Sequence, residues 1–261
     1  MIKLVVSDLD GTLIPEGTQD FEPGFFEALD ELLERGYEFY AASGRQYVNM
    51  YEKFGAYADR IGYLSDNGAL AMKGRERLFV EEIKREFALE VSAYAQSMKE
   101  VDILVSGVED AYFFPKTEWF KDHILNVYGL PAKMPRQLSD IEEPIIKLSM
   151  NITDFDQNAQ KVKQRLTERY GEFAEFVSTG NGWIDMIVKG SGKGKALNEL
   201  SRLKGLKPEE IMTFGDNQND ISMLKATPNS YAKTNAAQDV KDAAVHTCES
   251  VIEVLRKELL K

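Results

Sequence analysis

The sequence predicts an α/β protein: a doubly wound, Rossmann-like core with a parallel sheet over 1–82 and 187–261, interrupted by an inserted α+β domain over 83–186. Three observations carry this expectation. Short apolar, β-branched runs alternate with helix-periodic segments near both ends of the chain, the pattern of βαβ units. Several of these runs stop at polar, glycine-containing loops. Between the two ends, hairpin signals alternate with helices, which suits a largely antiparallel sheet.

The elements follow in order. Ile2 to Ser7 reads as a strand buried on both faces. Phe25, Phe26, Leu29, Leu32 and Leu33 recur at helical spacing within Pro23 to Arg35, and Gly36 supplies the stop. Tyr37 to Ala42 is a second strand running into Ser43-Gly44-Arg45. Gln46 to Gly55 is helical, and Ile61 to Leu64 is a third strand. In the insert, Glu81 to Met98 reads as a helix, followed by strands at Ile103 to Val105 and Tyr112 to Phe114. Glu118 to Val127 is helical, Ile145 to Ile152 a strand and Asp156 to Tyr170 a helix. The stretch Phe173 to Val188 gives two strands around Asn181-Gly182, the strongest short hairpin signal. The core then resumes with a helix from Gly194 to Leu203, a strand from Ile211 to Phe214 and a helix beginning at Ile221. Two short strands follow, in NSYAKTNA and AAVHT, and Ser250 to Leu260 closes the chain as an amphipathic helix.

The 261 residues carry 32 Lys and Arg against 43 Asp and Glu, a formal net charge of −11. A basic stripe for nucleic acid is missing, and so is a polybasic membrane anchor. The opening residues are apolar for too few positions to make a signal sequence, and no apolar segment is long enough to span a bilayer. Cys248 is the single cysteine, which rules out an internal disulfide framework and fits a cytoplasmic protein. The oligomeric state is open.

The stretch VVSDLDGTLI sets Asp8 and Asp10 one residue apart at the end of the first strand. Two such charges about 4 Å apart repel by roughly 4 kcal/mol at an effective dielectric of 20. Such a pair calls for a proton or for a cation between the carboxylates. Ligands of an open parallel sheet sit beyond the C-terminal strand ends. There Asp8 and Asp10 meet Ser43-Gly44-Arg45 and the loop holding Asp216, Asn219 and Asp220, while Lys193 opens a helix. This inventory suits phosphoryl transfer. Asp8 and Asp216 are the hard oxygen ligands that Mg²⁺ prefers. Ser43 and the Gly44 backbone can hold phosphoryl oxygens, and Lys193 can neutralise another. One carboxylate can attack phosphorus while the second moves the proton.

DLDGTL, ASGR, Lys193 in GSGKG, and GDNQND resemble, in order, the four signatures of the haloacid dehalogenase superfamily of phosphohydrolases. The place of the insert resembles the Cof-like branch with a type IIB cap, as do SDNGA and WIDMIVKGSGKGKAL. The resemblance implies a Mg²⁺-dependent phosphatase for small phosphorylated metabolites, a sugar phosphate or similar, working through an aspartyl-phosphate. In that scheme Asp8 attacks phosphorus. Asp10 protonates the leaving oxygen, then deprotonates water, and its backbone carbonyl joins Asp8 and Asp216 on the metal. Ser43, Gly44, Lys193 and Asn219 hold the phosphoryl group. Asp220 supports the metal shell or Lys193, Gly11 and Thr12 shape the first loop, and Arg45 and Asn67 lie where substrate or cap is met. Asp66, Asp185 and the tail from His246 depart from the branch pattern without touching the phosphoryl machinery.

Other readings are weaker. GSGKGK is not a nucleotide loop, because Ile187 stands where its first glycine belongs and Gly194 follows Lys193. His123 and His246 lack ligand spacing, and Trp119 and Trp183 read as core residues of the insert. A phosphomutase of the same superfamily is the enzymatic alternative, and a non-catalytic phosphometabolite sensor the alternative from another class.

Overall fold

The computed structural model describes residues 1–127, 132–180 and 182–261. In chain order the elements are β1 (Leu4–Asp8), α1 (Phe25–Glu34), β2 (Glu38–Ala42), α2 (Tyr47–Phe54), β3 (Gly62–Ser65), β4 (Leu70–Lys73) and β5 (Glu76–Val80). Then come α3 (Arg85–Gln96), β6 (Val101–Gly107), β7 (Ala111–Phe114), α4 (Glu118–Asp122), β8 (Ala132–Lys133), β9 (Ile145–Ile152), α5 (Phe155–Tyr170), β10 (Ala174–Gly180) and β11 (Trp183–Val188). The chain continues through α6 (Lys193–Lys204), β12 (Ile211–Gly215), α7 (Ile221–Leu224), β13 (Asn229–Lys233), α8 (Gln238–Ala243), β14 (His246–Cys248) and α9 (Val251–Glu258). Contacts group these residues into two compact units. One holds Met1–Arg45, Met50–Phe79 and Gly192–Lys261; the other holds Gln46–Asn49 and Val80–Ser191.

In the first unit the described strands form a sheet ordered β14-β13-β12-β1-β2-β3-β4-β5. It is parallel from β14 to β3, and β3 pairs with β4 antiparallel. Every residue of β1 is buried, as expected for a central strand covered on both faces. Helix α1 buries Phe25, Ala28, Leu29 and Leu32, one stripe at helical spacing. Helix α6 buries Ala196, Leu197 and Leu200 against Leu4, Val6 and Leu64. Each such fully buried large apolar side chain contributes about 1.5–3 kcal/mol. Strands β4 and β5, at one end of this sheet, were not expected from the sequence. They carry a short apolar run apiece, with the turn at Gly74, whose φ is +51°.

In the second unit the described strands are ordered β10-β11-β9-β6-β7-β8. All neighbours are antiparallel except β7 and β8. Val101, Ile103 and Val105 alternate onto one face, where α3 and α5 supply Val91, Ala95, Val162 and Leu166. On the other face Phe113 meets Phe120 and Ile124. The second half of the helix expected over Glu118 to Val127 is π-helical, from His123 to Val127. The hairpin of β10 and β11 pairs Ala174 with Val188 and Ser178 with Ile184. Of its expected turn, Asn181 lies outside the described residues, while Gly182 has φ +80°. Trp119 is not a core residue: it is 58% exposed and stacks on His123 at 4.7 Å. The helical period there serves Phe120 and Ile124, which leaves Trp119 on the outer face. Trp183 is half-buried, 5.9 Å from Phe120.

Candidate active site

Every group that follows lies in the first unit. Beyond Asp8 the chain turns sharply: the Leu9 carbonyl accepts from the backbone N–H groups of Thr12, Leu13 and Ile14. Gly11 sits in this turn at φ +87°, and a β-carbon there would lie 2.2 Å from Asp216 Oδ2. Glycine is therefore required both for the turn and for the approach of the Asp216 carboxylate. Thr12 Oγ1 donates to Asp216 Oδ1 at 2.7 Å, fixing that carboxylate over the first loop.

Lys193 opens α6 and has no exposed surface. Its Nζ donates to Asp8 Oδ1 at 2.5 Å and to Asp220 Oδ1 at 2.6 Å. The other oxygen of Asp220 accepts from the backbone N–H groups of Asp216 and Asn217, each at 3.0 Å. Asp220 is thus fully committed, to one ammonium and two amides, and it stitches the loop after β12 to Lys193. Asp8, Asp216 and Asp220 each offer an oxygen within 4.8 Å of the others. Burial pushes the Asp8 carboxyl well above the usual carboxylate range, opposed by the Lys193 ammonium. Burial also raises Asp216, against the pull of the Thr12 hydroxyl. Burial alone would lower Lys193, but the charges of Asp220 and Asp8 outweigh it and hold the ammonium protonated. The arrangement sets buried hard oxygens beside a fixed cation, the donor types that suit a divalent cation and a phosphoryl dianion.

Ser43 is buried, and its Oγ accepts from the Arg45 N–H at 3.1 Å. Gly44 faces the Asn67 amide, whose Oδ1 would lie 3.2 Å from an added β-carbon. Asn219 Nδ2 donates to Asn67 Oδ1 at 3.0 Å. The Asp10 carboxylate takes a different direction from Asp8. Arg45 grips it with Nε at 2.8 Å and Nη2 at 2.6 Å, a bidentate fork at the surface.

A profile of the haloacid dehalogenase-like hydrolases matches residues 5–253. The chain belongs to this family. It is 28% identical, over 99% of its own length and 96% of the relative's, to the 5-amino-6-(5-phospho-D-ribitylamino)uracil phosphatase YbjI of Escherichia coli strain K12. Among solved structures, SMU.1108c of Streptococcus mutans UA159 superposes with a TM-score of 0.85 at 26% identity, covering all of both chains. The subclass IIB sugar phosphatase BT4131 superposes with a TM-score of 0.79 at 25% identity, over 98% of each chain. Of the site residues expected from the sequence, Asp8, Thr12, Lys193, Asp216 and Asp220 converge as one hydrogen-bonded cluster. The Asp10 side chain stands apart from it on Arg45, and Asn67 joins Asn219. Sequence reasoning did not foresee these last two pairings. The only signal for them was that SGR, SDNG and GDNQND all end strands of one sheet.

Proposed function

We propose that this haloacid dehalogenase-like hydrolase cleaves phosphate monoesters of small metabolites, sugar phosphates or molecules of similar size, with Mg²⁺ and through a phosphoaspartate at Asp8. The observation that carries the reading is the Asp8, Asp216, Asp220 cluster with Lys193 on Asp8. Both oxygens of Asp220 already accept from Lys193 or backbone amides, so Asp8 and Asp216 fit Mg²⁺ better as side-chain ligands, together with the Asp10 backbone carbonyl. Bound there, the ion would neutralise charge on the phosphoryl oxygens.

The residues divide the work. An Asp8 oxygen attacks phosphorus, and the P–O bond to the leaving group breaks. Asp10 leaves the Arg45 fork, takes up a proton and gives it to the departing oxygen. Asp10 then takes a proton from water as that water attacks the phosphoaspartate, freeing Asp8 and inorganic phosphate. Lys193, Ser43, the Gly44 backbone and Asn219 hold the phosphoryl oxygens. Asp220 fixes the Lys193 ammonium from behind. The inserted unit is read as a cap that selects the leaving group. The similar proteins named as a ribitylaminouracil-phosphate phosphatase and a sugar phosphatase support a small polyhydroxylated ester. The net charge of −11 speaks against nucleic acid, and among the described residues no helix is long and apolar enough to cross a membrane. A cytoplasmic setting, consistent with the one buried free thiol of Cys248, belongs to the same proposal.

The test is release of para-nitrophenol and phosphate from para-nitrophenyl phosphate. Wild type turns over with Mg²⁺ and stops in excess chelator, and Asp8→Asn stops while its circular dichroism shows the chain still folded. Undiminished turnover in either case would overturn the reading.

A further inference from the structure

Asn67 has a backbone that few side chains tolerate and a side chain aimed at a single partner. Asp66 and Asn67 hold φ +51° and +58° in succession, and both are buried. Left-handed backbone is uncommon outside glycine, and two in a row under cover must be held by their surroundings. Here the loop after β3 is tied to the loop after β2. The Asp66 N–H donates to the Arg45 carbonyl and the Asn67 N–H to the Ser43 carbonyl, each at 2.9 Å. These bonds turn the Asn67 amide over Gly44, where no β-carbon intervenes. Its Oδ1 then accepts from Asn219 Nδ2 at 3.0 Å.

We infer that Asn67 is a positioning residue for Asn219: it sets which end of the Asn219 amide faces the phosphoryl group. A carboxamide has one accepting end and one donating end, alike in shape and opposite in charge. With one amide hydrogen engaged by Asn67 Oδ1, the second hydrogen of Asn219 Nδ2 remains for an anionic oxygen. Without that acceptor the Asn219 amide can rotate by half a turn and present its carbonyl oxygen to the anion, which repels it. The strained turn at Asp66-Asn67 thus acts on the loop after β12 through one hydrogen bond. The inference rests on the phosphatase reading only for the phosphoryl role of Asn219.

Binding of inorganic phosphate to the full-length, Mg²⁺-loaded protein tests this by titration calorimetry, a readout that does not need turnover. Asn67→Gly keeps the backbone, since glycine takes φ +58° freely, and deletes the acceptor. Its thermal midpoint stays at the wild-type value, while its phosphate dissociation constant rises about fivefold to tenfold, the scale of one lost hydrogen bond. Asn219→Ala weakens binding by a similar factor. In the double variant Asn67→Gly adds less than about twofold to Asn219→Ala, because the acceptor has nothing left to orient. Wild-type affinity in Asn67→Gly, fully multiplicative losses in the double variant, or no phosphate binding by wild type would each overturn the inference. Absence of ester turnover in a protein that binds phosphate as described strikes the phosphatase reading alone.

Discussion

Replacing Lys193 by methionine removes one charge from a buried ionic cluster and keeps most of the side-chain volume. The ammonium has no exposed surface, Asp220 has none, and Asp8 is 5% exposed. Its bonds to both, at 2.5 and 2.6 Å, are short and charge-assisted. Removing one partner of a buried pair costs about 3–5 kcal/mol, chiefly because the remaining charge stays buried without compensation. Here two carboxylates are stranded, so the upper part of that range applies. Against a total stability of about 5–15 kcal/mol this is a large loss. At about 2–4 °C per kcal/mol for a chain of this size, the thermal midpoint should fall by about 8–20 °C. The pH dependence identifies the cause. Burial already raises Asp8, and without Lys193 the opposing influence is gone. The folded variant then holds protons that the unfolded chain has released, so its stability improves as pH falls. Scanning calorimetry of wild type and Lys193→Met at pH 5 and pH 7.5, in chelator, measures both quantities. A loss under about 1 kcal/mol, or an equal loss at the two pH values, would refute the ionic account of this cluster.

Three further outcomes are expected. In chelator, wild type should lose stability as pH rises from the ordinary carboxylate range through the raised values of Asp8 and Asp216, since the folded state binds more protons there, and Mg²⁺ should flatten that slope. A thermal midpoint that does not fall as pH rises out of the ordinary carboxylate range, from pH 4 to pH 8 in chelator, contradicts this. Gly11→Ala should cost about 1–3 kcal/mol in thermal unfolding from its φ of +87°, and about 100-fold in kcat, because its methyl displaces the Asp216 carboxylate. Trp119→Ala, at an exposed site, should change thermal stability by no more than about 0.5 kcal/mol.

Much of the core was legible because its signals are local. The run LVVSD is buried throughout, and the stripe of α1 has helical period. The polar loops after β1, β2 and β12 follow from the rule for parallel strand ends. What escaped reading depends on partners distant in sequence. The β4 strand takes its place by pairing with β3, and its four residues are too few to show a period. Trp119 looks apolar enough for a core, but one position along the helix separates it from the buried Phe120. The Asp10 carboxylate turns away from Asp8 only because Arg45, 35 residues later, reaches it. Asp220 sits in the right loop by sequence, yet its commitment to two amides and Lys193 follows from the tight turn after Gly215. A β-carbon on that glycine would lie 2.5 Å from Asp220 Cβ. The Asn67–Asn219 bond spans 152 positions and has no local signature.

The account's central claim is that the carboxylate at the end of β1 itself bonds to phosphorus. Borohydride trapping during turnover tests this directly: the acyl phosphate is reduced, and peptide mass analysis locates the modified residue. The account predicts conversion at position 8 alone, dependent on both ester substrate and Mg²⁺. Steady phosphate release with an unmodified Asp8, or with the modification on another residue, would contradict it.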